Sequence, residues 1–460
     1  MPDTIVALAT PTGRSGIGVV RMSGLQSLGI TRKLVNDETF SPEPRTASLR
    51  QLFDPQSGDV IDEAIVTYFQ APHSFTGEDV VEIACHGSPV LLRQVIDTCL
   101  SLHARMADAG EFSLRALANG RMDLAEAEAI RDLIDAQTTA TARQAIRQLR
   151  GEFSASLQPL KDELLNVIVV LESALEFVED DLPAVQVEGI KTKLAAIVSE
   201  VENLASTFKA GRLIREGLRV ALVGRPNVGK SSLFNALFGS DRAIVTDIAG
   251  TTRDQIHERF TIGDIPISLI DTAGLRETKD TVESIGVERS RATIADADIV
   301  VVILDASEQT CDEDRDILAS VRQLNYIVAL NKIDKVPSTN MNRLVAREHS
   351  GLSYLREKIV PISAKTGEGL DDLRNKIVHP FGPEDVSTAG FLVTDARHHD
   401  LLVRARSEIE QSFEQLNQKL SEEIVLIGLH NALRYLGQIT GETTTEDVLT
   451  RIFSTFCIGK

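Results

Sequence analysis

The stretch 224–231 reads Gly-Arg-Pro-Asn-Val-Gly-Lys-Ser, which has the residue types and spacing of a phosphate-binding P-loop. The glycines let successive backbone N–H groups point at phosphate oxygens, and Lys230 can reach the β- and γ-phosphates. The Ser231 hydroxyl is suited to coordinate Mg²⁺. An apolar run at 218–223 precedes the loop and a helix-forming run at 232–237 follows it. This order of strand, loop and helix is the context that a P-loop requires.

Further motifs follow in the order that a GTP-binding domain needs. Gly250-Thr251-Thr252 lies at the position of a switch loop, where Thr252 is the candidate second Mg²⁺ ligand. A predicted strand at 267–270 ends in Asp271-Thr272-Ala273-Gly274. Asp271 is suited to hold a Mg²⁺-bound water, and the Gly274 N–H can sense the γ-phosphate.

The base is predicted from Asn331-Lys332-Ile333-Asp334, which follows an apolar strand at 326–330. Asp334 can accept hydrogen bonds from guanine N1–H and the 2-amino group, whereas adenine lacks both donors, so the nucleotide is predicted to be GTP. The predicted GTP contacts are Asn227, Val228, Gly229, Lys230, Ser231, Ser232, Thr246, Asp247, Ile248, Ala249, Gly250, Thr251, Thr252, Asp271, Thr272, Ala273, Gly274, Asn331, Lys332, Asp334, Ser363, Ala364 and Lys365.

The group that orients the hydrolytic water is less clearly marked. Small GTPases of the Ras type place a glutamine just after Asp-x-x-Gly, but Leu275 stands there and cannot polarise water. Glu283 is the preferred candidate and Glu277 is its rival, while each can also be an ordinary solvated helix charge. A monovalent cation can supply positive charge, and Asn227 is well placed to ligate it.

The elements that position these residues follow from the patterning of a 460-residue chain, which is long enough for about three domains. We predict a multidomain α/β and α+β protein. An N-terminal α+β domain covers 1–120, and a discontinuous helical bundle covers 121–216 and 381–460. A Ras-like GTPase domain with a doubly wound, mostly parallel sheet is inserted at 217–380. The predicted elements are strands at 5–9, 17–21, 64–69 and 80–84, and helices from Asp123 through Gln148 and at 153–179, 185–216, 387–416, 422–436 and 445–456.

Composition narrows the function further. With 43% hydrophobic residues and no run long enough to span a bilayer, we expect a cytoplasmic protein without a membrane segment. Four cysteines without metal-ligand spacing fit a reducing cytosol. Cys85-His86 and His398-His399 are candidate metal ligands, but no partner ligands stand at suitable spacing, so these histidines are interpreted as structural. The net charge of −19 argues against a general nucleic-acid coat protein, although it leaves room for a local basic patch.

With these motifs in view, the chain resembles the MnmE (TrmE) family of tRNA modification GTPases along its full length. The residues that carry the resemblance are Asp3-Thr4-Ile5-Val6-Ala7, the turn from Gly13, Gly77-Glu78-Asp79-Val80, His86-Gly87, Gly110-Glu111-Phe112-Ser113, Arg115-Ala116 and Phe456-Cys457-Ile458-Gly459-Lys460. The last of these, placed after an inserted GTPase domain, is far more specific than the GTPase motifs alone.

The resemblance implies a homodimerising N-terminal domain that binds 5-formyltetrahydrofolate as a one-carbon donor through Arg21, Glu82, Arg121 and Lys460. The family more often has lysine where Arg121 stands, so charge is kept while geometry differs. Cys457 matches a family cysteine needed for modification, and its alternative interpretation is a small buried residue at a helix end. The implied K⁺ ligands are Asn227, Thr246, Ile248 and Thr251.

The resemblance also implies an activity and partners. Bound K⁺ promotes pairing of GTPase domains and so hydrolysis, with Glu283 acting on the water. An FAD-dependent MnmG-type protein forms a heterotetrameric complex with the dimer and adds an aminomethyl or carboxymethylaminomethyl group at C5 of the wobble uridine, U34, of certain tRNAs. The alternatives are a ribosome-assembly GTPase in the Era or EngA manner and a nucleotide-gated scaffold with little turnover.

Overall fold

The computed structural model describes residues 3–176, 184–238, 258–262, 265–271, 297–336, 358–381, 390–443, 446–457 and 459. The chain folds into two compact units. The first unit comprises Met1–Asp135, Ala145–Glu200 and Leu401–Lys460, and the second comprises Ala136–Gln144 and Val201–Asp400. Each is described by itself below.

A six-stranded sheet forms the N-terminal part of the first unit. Its strands are β1 Ile5–Leu8, β2 Ile17–Ser23, β3 Ala47–Phe53, β4 Val60–Phe69, β5 Val80–His86 and β6 Arg105–Met106. Their spatial order is β3-β4-β5-β2-β1-β6, with antiparallel pairing throughout except for the parallel pair of β1 and β6. Three helices accompany the sheet, namely α1 Ser27–Leu34, α2 Pro89–Ser101 and α3 Glu111–Ala118.

The two faces of this sheet are buried by different elements. In β4 the buried side chains of Ala64, Val66 and Tyr68 alternate with more exposed ones, as the period of two in a strand requires. These residues join the α1 and α2 side chains in one core. On the opposite face, the buried Ala7 of β1 packs with Phe112 of α3. Residues 1–120 therefore form an α+β fold, as predicted.

Five helices follow this sheet along the described part of the chain. They are α4 Leu124–Ile134, α5 Thr139–Leu149, α6 Glu152–Glu176, α7 Ala184–Ser206 and α8 Phe208–Glu216. The predicted start of α4 is confirmed, since Asp123 accepts a hydrogen bond from the Glu126 N–H at 2.8 Å while Glu126 accepts one from the Asp123 N–H.

Two predicted helices are each divided in the structure. The helical pattern from Asp123 through Gln148 breaks between α4 and α5, because the Thr138 hydroxyl accepts a hydrogen bond from the Thr141 N–H at 3.1 Å and so caps a new helix. The predicted helix 185–216 breaks between α7 and α8. There the Thr207 hydroxyl donates to the Leu204 carbonyl and accepts from the Val393 N–H, a tertiary contact that local patterning does not reveal.

The second unit contains another six-stranded sheet. Its strands are β7 Leu218–Val223, β8 Glu258–Ile262, β9 Ile265–Asp271, β10 Ile299–Asp305, β11 Tyr326–Asn331 and β12 Ile359–Pro361, in the spatial order β12-β11-β10-β7-β9-β8. All pairs are parallel except the antiparallel pair of β8 and β9. The helices α9 Lys230–Phe238, α10 Asp312–Ser320 and α11 Leu370–Val378 lie in this unit.

This sheet is covered on both faces, because its side chains divide between two separate hydrophobic clusters. All seven residues of β10 are buried, which explains why it reads as a continuous apolar run in the sequence. The predicted strands at 218–223 and 326–330 are confirmed. The doubly wound, mostly parallel arrangement predicted for this part of the chain is therefore confirmed as well.

The chain enters and leaves this sheet along neighbouring segments of the second unit. Arg215 in α8 forms an ion pair with Asp395 at 2.5 Å, and Phe208 stacks on His399 with ring centroids 4.3 Å apart. Asp395 also accepts from the Arg397 N–H and thereby caps the next helix. The helices after the sheet are α12 Ala396–Asn417, α13 Glu422–Thr440 and α14 Glu446–Phe453, so the prediction that helix begins at 387 is wrong for the described residues 390–395.

Candidate functional site

The P-loop connects β7 to α9 in a shape that only certain residues allow. Asn227 and Gly229 have positive φ angles of 63° and 102°, a region that glycine and asparagine tolerate best. A Cβ on Gly224 would lie 2.6 Å from the Ile303 carbonyl oxygen of β10. Lys230 Nζ donates to the Gly224 and Arg225 carbonyl oxygens at 2.6 and 2.8 Å. The loop is therefore a closed turn in which the lysine side chain is hydrogen-bonded to the backbone of the first two loop residues.

The Asn-Lys-x-Asp segment at the end of β11 is hydrogen-bonded to the P-loop. Asn331 Nδ2 donates to the Val228 carbonyl oxygen at 2.8 Å, and Lys332 Nζ donates to the Asn227 carbonyl oxygen at 2.7 Å. Lys332 Nζ also pairs with Asp305 at 2.5 Å. Burial alone would raise the pKa of Asp305, but hydrogen bonds from Lys332 and Ser307 outweigh it and lower that pKa below its ordinary value.

The segment after β12 meets the same motif. The Ala364 N–H donates to Asn331 Oδ1 at 3.0 Å, and the Ser363 hydroxyl donates to Asp334 Oδ1 at 2.7 Å. Because β11 and β12 are parallel neighbours, their carboxyl ends bring the two segments together. Residues predicted from three separate motifs thus converge at one edge of the sheet.

Part of the predicted nucleotide site lies outside the described residues. Asp271 is described as the last residue of β9, opposite Leu222 of β7. The predicted residues outside the described ranges are Thr246, Asp247, Ile248, Ala249, Gly250, Thr251, Thr252, Thr272, Ala273, Gly274, Glu277, Glu283 and Lys460.

The first unit brings together the other group of predicted residues. Arg21 of β2 and Glu82 of β5 are directly paired in the sheet, and Arg21 Nη2 lies 2.7 Å from Glu82 Oε1. The Arg21 guanidinium also lies over the Phe75 ring, 5.5 Å from its centroid, and donates to the Gly459 carbonyl oxygen at 3.3 Å. Arg121 is held nearby, since its Nε donates to the carbonyl oxygen of Ser74, the residue before Phe75.

The segment 453–457 packs against α3 and α4. Phe453 and Phe456 are buried in a cluster that includes Leu124. Gly110 has a φ of 67°, and a Cβ there would lie 2.7 Å from the Phe453 carbonyl oxygen. Cys457 is exposed, so the alternative of a small buried residue is wrong. By contrast, burial raises the pKa of Cys85 and of Cys99 to about 12, which leaves both thiols unreactive near neutral pH.

An ion-pair network beside this segment was not predicted. Arg115 of α3 is only 1% exposed and pairs with Asp3 at 2.9 Å, with Glu78 at 3.0 Å and with Glu111 at 2.9 Å. Arg105 pairs with Glu111 at 2.6 Å. The four-residue spacing of Glu111 and Arg115 on a helix was a usable sequence signal. The contacts to Asp3 and Glu78 span 112 and 37 residues, and no sequence pattern indicates them.

The parallel sheet, the P-loop after β7 and the Asn-Lys-x-Asp segment after β11 define a P-loop GTPase domain. The protein-family model for the GTP-binding protein TrmE N-terminus matches residues 4–121. The family model for the MnmE helical domain matches residues 124–457. Proteins named tRNA modification GTPase MnmE from Koribacter versatilis, Aquifex aeolicus and Desulforamulus reducens are 44, 42 and 41% identical, each over 100% of both chains. The chain belongs to the MnmE family of tRNA modification GTPases.

Within the described residues, no helix combines the length and the apolar character needed to cross a bilayer. No group of three or more histidine, cysteine, aspartate or glutamate residues suited to a metal ion occurs in that part of the chain. His86 is oriented by Asp62, whose carboxylate lies 2.7 Å from His86 Nδ1.

Proposed function

We propose that this chain hydrolyses GTP in order to add an aminomethyl or carboxymethylaminomethyl group at C5 of wobble uridine in certain tRNAs. The observation that carries the proposal is the full-length identity of 41–44% to proteins named tRNA modification GTPase MnmE. Because this likeness includes the N-terminal and helical regions, it favours tRNA modification over a ribosome-assembly role of the Era or EngA kind. The partner is an FAD-dependent MnmG-type protein, and both act in the cytoplasm.

Guanine specificity rests on Asp334 in this proposal. The Ser363 hydroxyl donates to one oxygen of Asp334 and thereby fixes the carboxylate at the edge of the base pocket. A fixed carboxylate pairs well with the two N–H donors of guanine and would face the acceptor N1 of adenine. Lys230 supplies positive charge to the β- and γ-phosphates, and its position over the P-loop carbonyls supports this role.

Two cations belong to the proposed site. Ser231, in the first turn of α9, carries a hydroxyl suited to Mg²⁺, and Thr252 is its proposed partner. Asn227, Thr246, Ile248 and Thr251 are the proposed K⁺ ligands; the positive φ of Asn227 places a short amide side chain on the P-loop, which suits an oxygen-ligated cation. Held by these residues, the two cations would supply positive charge to the phosphates, and Glu283 is the proposed residue that orients the attacking water.

The proposed one-carbon site lies in the first unit. The Arg21–Glu82 pair, the Arg121 side chain and the Gly459 carbonyl offer a cation, an anion, a second cation and an acceptor. The heterocycle and carboxylates of 5-formyltetrahydrofolate need such complementary groups. When bound, the folate supplies the one-carbon unit. Lys460 is the proposed additional cation, and the exposed Cys457 is the proposed modification residue.

Homodimerisation through the N-terminal sheet is part of the proposal. Leu49 of β3 and Ile65 of β4 are direct cross-strand partners and are 61 and 44% exposed, and Ile17 of β2 is 62% exposed. Exposed aliphatic side chains on one sheet are suited to contact with a second copy of the chain. The resulting dimer is the proposed core of a heterotetramer with the flavoprotein.

The test is mass spectrometry of wobble nucleosides in tRNA from cells that lack this protein. We expect loss of the C5-aminomethyl-type uridines, restored by the wild type and not by Lys230→Ala. A phosphate-release assay in KCl and in NaCl accompanies it, and negligible turnover in both would favour the scaffold alternative. Cys457→Ser should retain GTP hydrolysis and lose modification. Unchanged nucleosides in the deletion strain would contradict the proposed function.

A further inference from the structure

The side chain of Arg225, the second residue of the P-loop, joins this loop to the segment after β10. Arg225 Nη2 lies 2.5 Å from Glu308 Oε2, and Arg225 Nε lies 3.3 Å from Asp314 Oδ1. Asp314 is in the first turn of α10, and its side chain is only 3% exposed. The phosphate-binding role of the P-loop, which uses its backbone and Lys230, assigns nothing to this side chain.

The buried carboxylate of Asp314 is fixed from its other side. Asp314 Oδ2 accepts hydrogen bonds from the Cys311 N–H at 3.1 Å and from the Cys311 thiol at 3.4 Å. These bonds cap α10 and fix the direction of the carboxylate, which leaves Oδ1 towards Arg225. A buried carboxylate needs a compensating charge, and Arg225 supplies it to Asp314. The fixed carboxylate in turn restricts the position of the Arg225 side chain.

The same segment also supports the base-binding motif. Asp305, the last residue of β10, accepts from the Ser307 N–H at 2.9 Å and pairs with Lys332 at 2.5 Å, and Lys332 donates to the Asn227 carbonyl oxygen. The P-loop is therefore attached to the segment 305–314 at two points. One point is the side chain of Arg225, and the other is indirect, through Lys332, which pairs with Asp305 and donates to the Asn227 carbonyl oxygen.

We propose that Arg225 is a positioning residue that keeps the first half of the P-loop in its nucleotide-retaining shape through Glu308 and Asp314. The backbone N–H groups of the loop can cradle a phosphate only in a closed conformation. A loop that must be ordered during binding loses affinity, and that loss is expressed mainly in the dissociation rate. This inference rests on the proposed binding of guanine nucleotide.

The test is the rate at which a fluorescent GDP analogue leaves the full-length protein when excess GDP is added. In Arg225→Ala the release should be about tenfold faster or more, because the P-loop loses its contacts to Glu308 and to the buried Asp314 and must then be ordered around the phosphates. The preference for GDP over ADP should stay unchanged, because Asp334 and Ser363 are untouched. Arg225→Lys keeps the charge without the forked geometry, so partial recovery is expected.

The chain offers a matched control on the same helix. Arg315 pairs with Asp312 at 2.8 Å, but both side chains are well exposed. Arg315→Ala should leave GDP release as in the wild type, since an exposed pair contributes little. Glu308→Ala, at the exposed end of the Arg225 contact, should accelerate release by about twofold to fivefold.

Wild-type release from a folded Arg225→Ala variant would overturn the inference, even if that variant melts at a lower temperature. Should Arg225→Ala fail to fold, Glu308→Ala decides, and a release rate equal to that of Arg315→Ala would overturn it. A wild-type protein that binds no GDP would overturn the proposed function together with this inference.

Discussion

The two candidate sites are built in opposite ways. In the second unit, the nucleotide site consists of short motifs whose residues are neighbours in sequence and whose contacts are largely to backbone carbonyls, as with Lys230 and Lys332. In the first unit, Arg21 pairs with the Glu82 carboxylate and also contacts Gly459, which lies 438 residues further along the chain. A site made of local motifs depends on loop shape, whereas a site made of distant residues depends on the fold that gathers them.

The largest effect should come from changing the base pocket. Asp334→Asn replaces an acceptor-only carboxylate by an amide, one end of which donates, so the pairing with guanine N1–H and the 2-amino group is lost. The ratio of GTP to ATP affinity should fall by up to about 10⁴-fold. Competition binding with labelled GDP measures this ratio.

The control for the base-pocket change is the stability of the first unit. Asp334 makes its contact within the second unit, so the urea unfolding of the N-terminal sheet should be unaffected. A guanine preference that survives in a folded Asp334→Asn protein would contradict the base-pocket assignment.

The next largest effect is expected at Arg115, whose buried ion pairs join distant parts of the first unit. Arg115→Ala leaves Glu111 and Glu78 with less compensating charge in a buried setting, so the free energy of unfolding of the first unit should fall by about 3–5 kcal/mol. Urea unfolding followed by circular dichroism measures it. The exposed pair of Arg93 and Asp97 provides the control, and Arg93→Ala should stay within about 0.5 kcal/mol of the wild type.

GDP affinity should be nearly unchanged in Arg115→Ala, because none of its ion pairs lies in the second unit. Equal losses of GDP affinity and of stability would mean that the two regions do not behave as separate units.

What the sequence predicts follows the same division. The P-loop, its strand and its helix were predicted correctly because glycine, lysine and apolar spacing encode them within fifteen or so residues. The helix breaks at Thr138 and Thr207 were missed, because the spacing of apolar residues continues through both positions. In each case the threonine hydroxyl accepts a backbone hydrogen bond that local patterning does not reveal. The edge strand β3 was also missed, since most of its side chains are exposed and alternate weakly.

The Arg115 network could not be predicted for a different reason. Its partners come from the start of the chain, from the segment before β5 and from α3, and only the Glu111 contact has a helical spacing. Charged residues are common on any surface, so nothing in their types distinguishes a buried arginine from a solvated one. The burial is a property of the assembled sheet and helices.

A pair of glycines tests how the segment 453–457 packs against α3. Gly110→Ala introduces a Cβ 2.7 Å from the Phe453 carbonyl oxygen at a residue with φ of 67°, so we expect a loss of about 2–3 kcal/mol in stability. Gly120 has a similar φ of 64° but no atom within 4 Å of an added Cβ. Gly120→Ala should therefore cost only the backbone strain, roughly 1–2 kcal/mol. Thermal unfolding compares the two variants.

The two alanine variants should also differ in function. Displacing the segment in Gly110→Ala moves Gly459 away from Arg21, so tRNA modification should fall while GDP affinity is retained. Equal stability and equal modification in the two variants would show that the contact between Gly110 and Phe453 does not position the segment.

The smallest effect is a change in the pH dependence of stability. Burial alone would raise the pKa of Glu111, but hydrogen bonds from Arg105, from the Asp108 N–H and from Arg115 outweigh it and lower that pKa below 4.5. A carboxyl whose folded pKa is lowered stabilises the fold above its unfolded pKa, and this contribution is lost as the pH falls through the folded pKa. In Glu111→Gln, the free energy of unfolding should therefore fall less than in the wild type as the pH is lowered below 4.5.

Glu126 provides the comparison of opposite sign within the same unit. Burial raises the pKa of its carboxyl above 4.5, despite the hydrogen bond from the Asp123 N–H. Its contribution is therefore present below pH 4.5 and lost as the pH rises through the folded pKa. Urea unfolding from pH 3.5 to 7 should show that Glu126→Gln and Glu111→Gln change the slope in opposite directions. Parallel changes would mean that overall charge, and not these hydrogen bonds, sets the acid sensitivity of the first unit.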